Sequence, residues 1–219
     1  MRNLILMISA LMFSSAVFSQ TDRSNELQLR FTTGLAAYKS MAELSYNDGN
    51  TRISETDTSG AVTQHFQLGA RYDLTKRFTV GLDYKFGAYL YDTTETNRTR
   101  SNKFGVFGIA GEFNISSRPN FRWYVGLGFH ASRLQISESE TNGNMTTQID
   151  VDFRGSGMSL NTGIIKYFGD RRLGFIFNAG YDGHSFEADP SFFGNIENLK
   201  YTLDVRGVDL QLGLLFRFY

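Results

Sequence analysis

Eight ionisable side chains recur at places where they could meet inside one fold: Arg30, Arg71, Asp83, Lys85, Glu112, Arg122, Asp209 and Arg217. All but Glu112 have an apolar or aromatic residue on both sides. Gathered in one interior, five cations and three anions admit two outcomes. An open arrangement makes a charged pore with a weak preference for anions. A closed one fills the interior with ion pairs and hydrogen bonds, as burial requires, because an unpaired buried charge costs several kcal/mol. The filled interior is the expectation. A second constellation has a catalytic flavour. His130-Ala-Ser132 sets an imidazole and a hydroxyl on one face of an extended chain, with Glu138 and Glu140 downstream, and such a histidine could activate the serine for attack on an ester. Both residues fall on the inward phase and the glutamates in a polar stretch, so no catalytic residue is assigned and no enzyme is expected. His65 and His184 read as surface residues near loops. No histidine spacing suggests a metal site, and no glycine run leads into a helix as a phosphate loop would, so neither metal nor cofactor is expected.

The elements that must position these residues are strands. Val208, Leu210, Leu212, Leu214, Phe216 and Phe218 take every second place, with Asp209, Gln211, Gly213, Leu215 and Arg217 between them. Period two gives one apolar face and one mostly polar face. The pattern recurs from Leu27, with Leu29, Phe31, Thr33 and Leu35 out and Arg30 in. It returns over 62–73 (Phe66, Leu68, Ala70 and Tyr72 out) and most cleanly from Phe78 (Val80, Leu82, Tyr84 and Phe86 out). It continues over 103–113 (Phe107, Ile109 and Phe113 out), from Phe121 (Trp123, Val125, Leu127 and Phe129 out), over 151–167, from Leu173 (Phe175, Phe177, Ala179 and Tyr181 out, Asn178 and Asp182 in), and from Leu199 to the end. In two places the apolar phase slips, at Leu134 and Ile136 and again around Gly207; the first suggests a β-bulge above the membrane. Short connections around Thr75, Ser117 and Asp170 alternate with long polar stretches at 51–60, 93–102, 137–150 and 182–198, which read as loops.

Composition narrows the class. Lys and Arg number 22 against 22 Asp and Glu, with no basic block, which excludes a nucleic-acid partner of the electrostatic kind. Cysteine is absent, aromatics are 15% and glycines number 22. No run after residue 20 is long and apolar enough for a transmembrane helix. Residues 1–19 read as a signal peptide, with a basic Met1-Arg2-Asn3, an apolar Leu4–Phe13 and small residues before a cut after Ser19. Residues 20–219 read as a single domain.

An open sheet edge is excluded in hydrocarbon, where each unpaired backbone group costs several kcal/mol, so strand one must pair with strand eight. The fold expected is all-β: an eight-stranded antiparallel up-and-down transmembrane β-barrel with short periplasmic turns and long extracellular loops. A soluble barrel of the lipocalin kind would turn the apolar face inward, and eight strands cannot enclose that many large side chains. Tyr72, Tyr84, Trp123, Tyr167, Phe168, Tyr181 and Phe218 are the candidate girdle aromatics. The last strand, with Leu212, Leu214, Phe216 and Phe218 on its outer face and Tyr219 beyond, resembles the C-terminal insertion signal of bacterial outer-membrane barrels. The whole pattern from about residue 25 onward resembles the OmpX, OmpA-transmembrane and OmpW families. The resemblance implies residence in the outer membrane among its lipids and lipopolysaccharide, insertion by the barrel assembly machinery, and a structural, adhesive or narrow-transport role. His130-Ala-Ser132 is similar to the His-x-Ser pair of outer-membrane lipid A deacylases, which implies the ester chemistry set aside above. The acidic stretches carry Glu138, Glu140, Asp150 and Asp152 without a cation, a set that could hold a divalent cation. Phe192 and Phe193 are candidates for contact with a protein partner, since exposed paired aromatics are costly unless covered. The function expected is a filled barrel acting through its extracellular loops, with a narrow pore or a conduit for hydrophobic molecules as the alternative.

Overall fold

The computed structural model describes residues 26–48, 51–90, 98–142, 145–169, 172–189 and 199–218. The expected signal peptide and the Phe192–Phe193 pair lie outside them. Eight strands follow one another: β1 Leu27–Asp48, β2 Thr51–Asp73, β3 Phe78–Leu90, β4 Arg98–Arg118, β5 Phe121–Asn142, β6 Met145–Phe168, β7 Leu173–Ala188 and β8 Lys200–Phe218. Each pairs antiparallel with its neighbour and β1 pairs with β8, so the sheet closes with no free edge. Following the hydrogen-bonded partners once round, Leu27 leads through Tyr72, Val80, Gly111, Leu127, Leu160, Tyr181 and Val208 to Ala37. The circuit therefore returns ten residues further along β1, a stagger that tilts the strands by about 40°.

The outer face is apolar. Phe31, Leu82, Ile109, Leu160, Leu210 and Leu212 are all 47% or more exposed, which water would not tolerate as a continuous belt but hydrocarbon requires. From Val208 to Phe218 the belt runs eleven residues, ten steps along the strand or about 25 Å of height at that tilt, the thickness of the apolar band of an outer-membrane barrel.

Above the belt the pattern inverts without losing register. On β5, Leu134 is buried and Arg133 and Gln135 are exposed; on β8, Val205 is buried and Arg206 exposed. The expected bulge at Leu134 is thus absent and so is the slip at Gly207: pairing with β4 and β6 is unbroken through Leu134, and pairing with β1 through Gly207. The strand keeps alternating, but it has left the membrane, so the apolar side chains turn from the wall to the interior. There Ala36, Tyr38, Phe104, Val106, Leu134, Phe153, Phe186 and Val205 pack into a core of the kind a soluble barrel has. The one irregular step among the described pairings lies between Asn114 and Ser116.

Two of the expected loops are strands throughout their described residues, and the other two are strands in part, over 98–102 and 182–188. β1 and β2 pair as far as Asp48 opposite Thr51, and β5 and β6 as far as Asn142 opposite Met145. These hairpins stand in solvent with polar residues at successive positions, so the period-two signal is lost although the strands stay paired. The turns at the other end are tight. The Thr75 hydroxyl accepts from the amides of Arg77 at 3.1 Å and Phe78 at 2.9 Å. Gly169, after β6, has φ +45°, in the left-handed region. Gly169→Val is expected to cost about 1–2 kcal/mol through that strain alone, read as a lower urea midpoint of the refolded protein.

Candidate functional site: the charged lumen

The inward phase of the eight strands delivers its ionisable groups to three stacked levels. At the periplasmic end, Arg122 on β5 forks onto Asp73 on β2, with Nη1 and Nη2 at 2.9 and 2.7 Å from the two carboxylate oxygens. Asp73 also accepts from Thr79 at 2.6 Å and from Gln28 at 3.0 Å. Arg217 lies over the Tyr167 ring at 3.8 Å, with its Nε 3.1 Å from Glu26. Tyr167 is therefore a lumen residue, 3% exposed, and not a girdle aromatic; it packs with Tyr124, Ile165, Ile176 and Leu215. The other girdle candidates, Tyr72, Tyr84, Trp123, Phe168, Tyr181 and Phe218, face outward.

One level up, Glu112 on β4 receives two arginines. Arg30 from β1 donates to both of its oxygens at 2.6 and 2.9 Å, and Arg71 from β2 donates through Nε at 2.7 Å. Arg71 reaches on to Asp83 on β3 at 2.6 Å. A guanidinium fits here because its fork can serve two carboxylates in one plane. It needs room, and glycine supplies it: a Cβ on Gly81 would come within 2.5 Å of Arg71 Cδ and within 2.1 Å of the Ala70 carbonyl oxygen.

At the third level, Lys85 on β3 reaches the opposite wall. Its Nζ lies 2.5 Å from Asp182 on β7 and 2.7 Å from Asp209 on β8. Asp209 also faces His65 Nε2 at 3.3 Å and accepts from Gln211 at 2.8 Å. The Tyr38 hydroxyl donates to Asp182 at 3.3 Å, and Tyr124 donates to Asn178 between levels. The space left among these groups is about 40 Å³, room for roughly three waters.

All eight residues singled out in the sequence are buried or, at Asp83, nearly so on the inward face. The arithmetic of charge differs. Asp73, Asp182 and, at the rim, Glu26 join the three expected anions, so the five cations find six carboxylates and the excess that suggested anion preference is gone. Asp73 was within reach of the pattern: one further step of β2, past Arg71, is inward.

The histidines are placed differently from expectation. His65 is fully buried and His184 nearly so. His130 stacks on His184 with ring centroids 5.7 Å apart, and its Nε2 lies 3.3 Å from the Ser159 hydroxyl, not from Ser132. Glu138 is eight residues further along the same strand, about 25 Å away, and Glu140 two more. No relay of histidine, serine and carboxylate forms. Register sets Arg100 opposite Glu138 and Arg98 opposite Glu140. Among the described residues no group of three or more His, Asp or Glu could hold a metal ion.

No family model matches the chain, and no curated protein is similar to it in sequence. Solved structures are similar in fold. The outer membrane protein OprG from Pseudomonas aeruginosa aligns over 92% of this chain and 99% of its own, at 12% identity and a TM-score of 0.51. Neisserial surface protein A aligns over 86% of this chain and 97% of its own, at 15% identity and TM-score 0.46. The outer membrane protease OmpT from Escherichia coli aligns over 88% and 97%, at 9% identity and TM-score 0.45. At such identities the likeness speaks for fold alone. With the closed sheet, the apolar belt and the inverted rim, the likeness to OprG gives this chain the fold of the small outer-membrane β-barrels.

Proposed function

We propose that this protein is a non-conducting, non-enzymatic outer-membrane barrel whose lumen is a solid polar core and whose work is done by its extracellular hairpins. The observation that carries the reading is the span from Lys85 to Asp182: a salt bridge of 2.5 Å between β3 and β7 crosses the lumen from wall to wall. Below it the Arg30–Glu112–Arg71–Asp83 chain does the same from β1 to β4. Above it sits the largely apolar core of Phe104, Val106, Leu134, Phe153 and Val205. An ion would have to break paired charges at low dielectric and then cross a packed apolar layer, and each step costs several kcal/mol.

The hairpins β1–β2 and β5–β6 carry strand pairing well past the belt, so they are stiff projections that could present a fixed surface to a partner. Insertion by the assembly machinery is part of the same reading, through Leu212, Leu214, Phe216 and Phe218 on the outer face of β8.

The test is single-channel recording of the refolded full chain in a planar bilayer. A silent bilayer is expected, with folding verified by a heat-dependent shift on gels. Discrete, reproducible steps would replace this reading with the narrow pore.

A further inference from the structure

The outer wall carries like charges in direct apposition. Lys39 on β1 is the cross-strand partner of Arg206 on β8, and Arg133 on β5 is the partner of Arg154 on β6. All four are exposed on the outer face. Directly opposed like charges weaken a sheet, so each pair calls for an anion from outside it. Lys103 on β4 adds a fifth: it faces outward opposite Gln135, one pleat diagonally from Arg133.

These five are level with one another. Because the circuit climbs ten residues over eight strands, each hydrogen-bonded step climbs about one and a quarter residues. From Arg206 the partners Gly183, Met158 and Phe129 lie successively lower by that amount. Counting back up β5 from Phe129 puts Arg133 level with Arg206. The same count puts Lys39, Lys103 and Arg154 within about one and a half residues of it, or roughly 4 Å of height. The level is the place where the outer face changes from apolar to polar: Val208, Tyr181, Met158, Ala131 and Phe107 lie just beneath. The carboxylates these cations touch are one pleat further out. Asp152 is 3.0 Å from Arg133, Asp204 is 3.9 Å from Arg206 and Asp189 is 4.0 Å from Arg154, and all three carboxylates stand above the cations they pair with. Lys39 and Lys103 have no anionic partner among the described residues.

We infer that this collar binds the phosphates of outer-leaflet lipids, and specifically lipids bearing phosphomonoesters. Position selects lipid over protein, since the cations point sideways at headgroup height rather than from the hairpin tips. Charge selects the phosphomonoester, because a group carrying nearly two negative charges matches clusters of two and three cations better than a singly charged diester does. The dyad Lys39/Arg206 and the triad Lys103/Arg133/Arg154 would each seat one such headgroup. The inference rests on the membrane placement proposed above and not on the plugged lumen, so conductance tests one and lipid retention the other.

The experiment measures lipids retained on the refolded full chain by native mass spectrometry, from micelles doped with phosphatidic acid, phosphatidylglycerol or phosphatidylcholine of equal acyl chains. Phosphatidic acid is expected to be retained at least about tenfold over phosphatidylcholine, with phosphatidylglycerol between them. The triple variant K103Q/R133Q/R154Q, whose exposed positions leave folding intact by gel shift, is expected to lose most of that preference. Equal retention of the three lipids, or an unchanged triple variant, would overturn the inference. So would displacement of phosphatidic acid by equimolar inorganic phosphate, which would make the collar a free-anion site. Should the triple variant fail to shift on gels, K39Q/R206Q reads the other cluster with the same outcomes.

Discussion

Glu112→Ala is expected to lower stability by about 3–5 kcal/mol and to turn a silent barrel into an anion-selective leak. Glu112 is the shared acceptor of Arg30 and Arg71, and it is 2% exposed. Removing it leaves Arg30 with the Gln28 side-chain oxygen at 3.2 Å and the Tyr124 ring at 5.2 Å, neither of them an anion, while Arg71 keeps Asp83. A guanidinium stranded in this interior must either be paired again by water or destabilise the fold. The small space already present beside Glu112 would enlarge, admitting water and chloride along the freed arginine. Urea titration of the refolded protein reads the first effect, and bilayer recording with a salt gradient reads the second. A second substitution separates the pair from the packing: adding Arg30→Met to Glu112→Ala is expected to recover part of the lost stability, because the stranded charge goes with it. A loss below about 1 kcal/mol for Glu112→Ala alone would show that the network contributes little and that the lumen is wetter than its geometry indicates.

Leu212→Arg and Leu134→Arg are expected to be costly for opposite reasons, and Gln135→Arg to be nearly silent. Leu212 lies midway down the apolar belt, on the outer face. An arginine there meets hydrocarbon at about the bilayer midplane, at a cost of roughly 2–4 kcal/mol. Leu134 is 2% exposed and packs inside, above the membrane. An arginine there is a charge placed in an apolar core without a partner, and several kcal/mol are lost. Gln135, its neighbour in sequence, points into water, where a change of this kind shifts stability by within about 0.5 kcal/mol. Refolding yield into vesicles and the urea midpoint report all three. The reverse order for Leu134 and Gln135 would mean that β5 does slip by one residue and that the inversion is not real.

Most of the barrel was legible in the chain because its solvent is unusual. Hydrocarbon outside and crowded polar groups inside force every spanning strand to alternate, so Phe78 to Phe86 or Val208 to Phe218 read directly as strands with a known outer face. Even the lumen residues could be named, since an inward position is simply the one between two apolar ones. Where the strands leave the bilayer that forcing ends. Thr51 to Gly60 and Ser137 to Asp150 lie largely in paired strands with water around them, and nothing in side-chain polarity distinguishes them from loops. Leu134 and Ile136 sent a clear apolar signal whose meaning depended on something the sequence does not carry, the height of the membrane edge. With the edge above them they would have required a bulge; with it below, they are a core.

The alternation by itself determined an eight-stranded closed sheet, its outer and inner faces, and a lumen rich in charge, because those follow from period two and the cost of an unpaired backbone in lipid. Only the tertiary structure decided which charges meet. Lys85 finds Asp182 97 residues away, and Arg30 finds Glu112 82 residues away, because a stagger of ten residues across eight strands sets β3 against β7 and tilts β1 toward β4. The stagger is a sum of eight registers, each fixed by a partner strand rather than by the residues that carry the charge. The same sum brings Lys39, Lys103, Arg133, Arg154 and Arg206 to one height, although no two of them are close in the sequence.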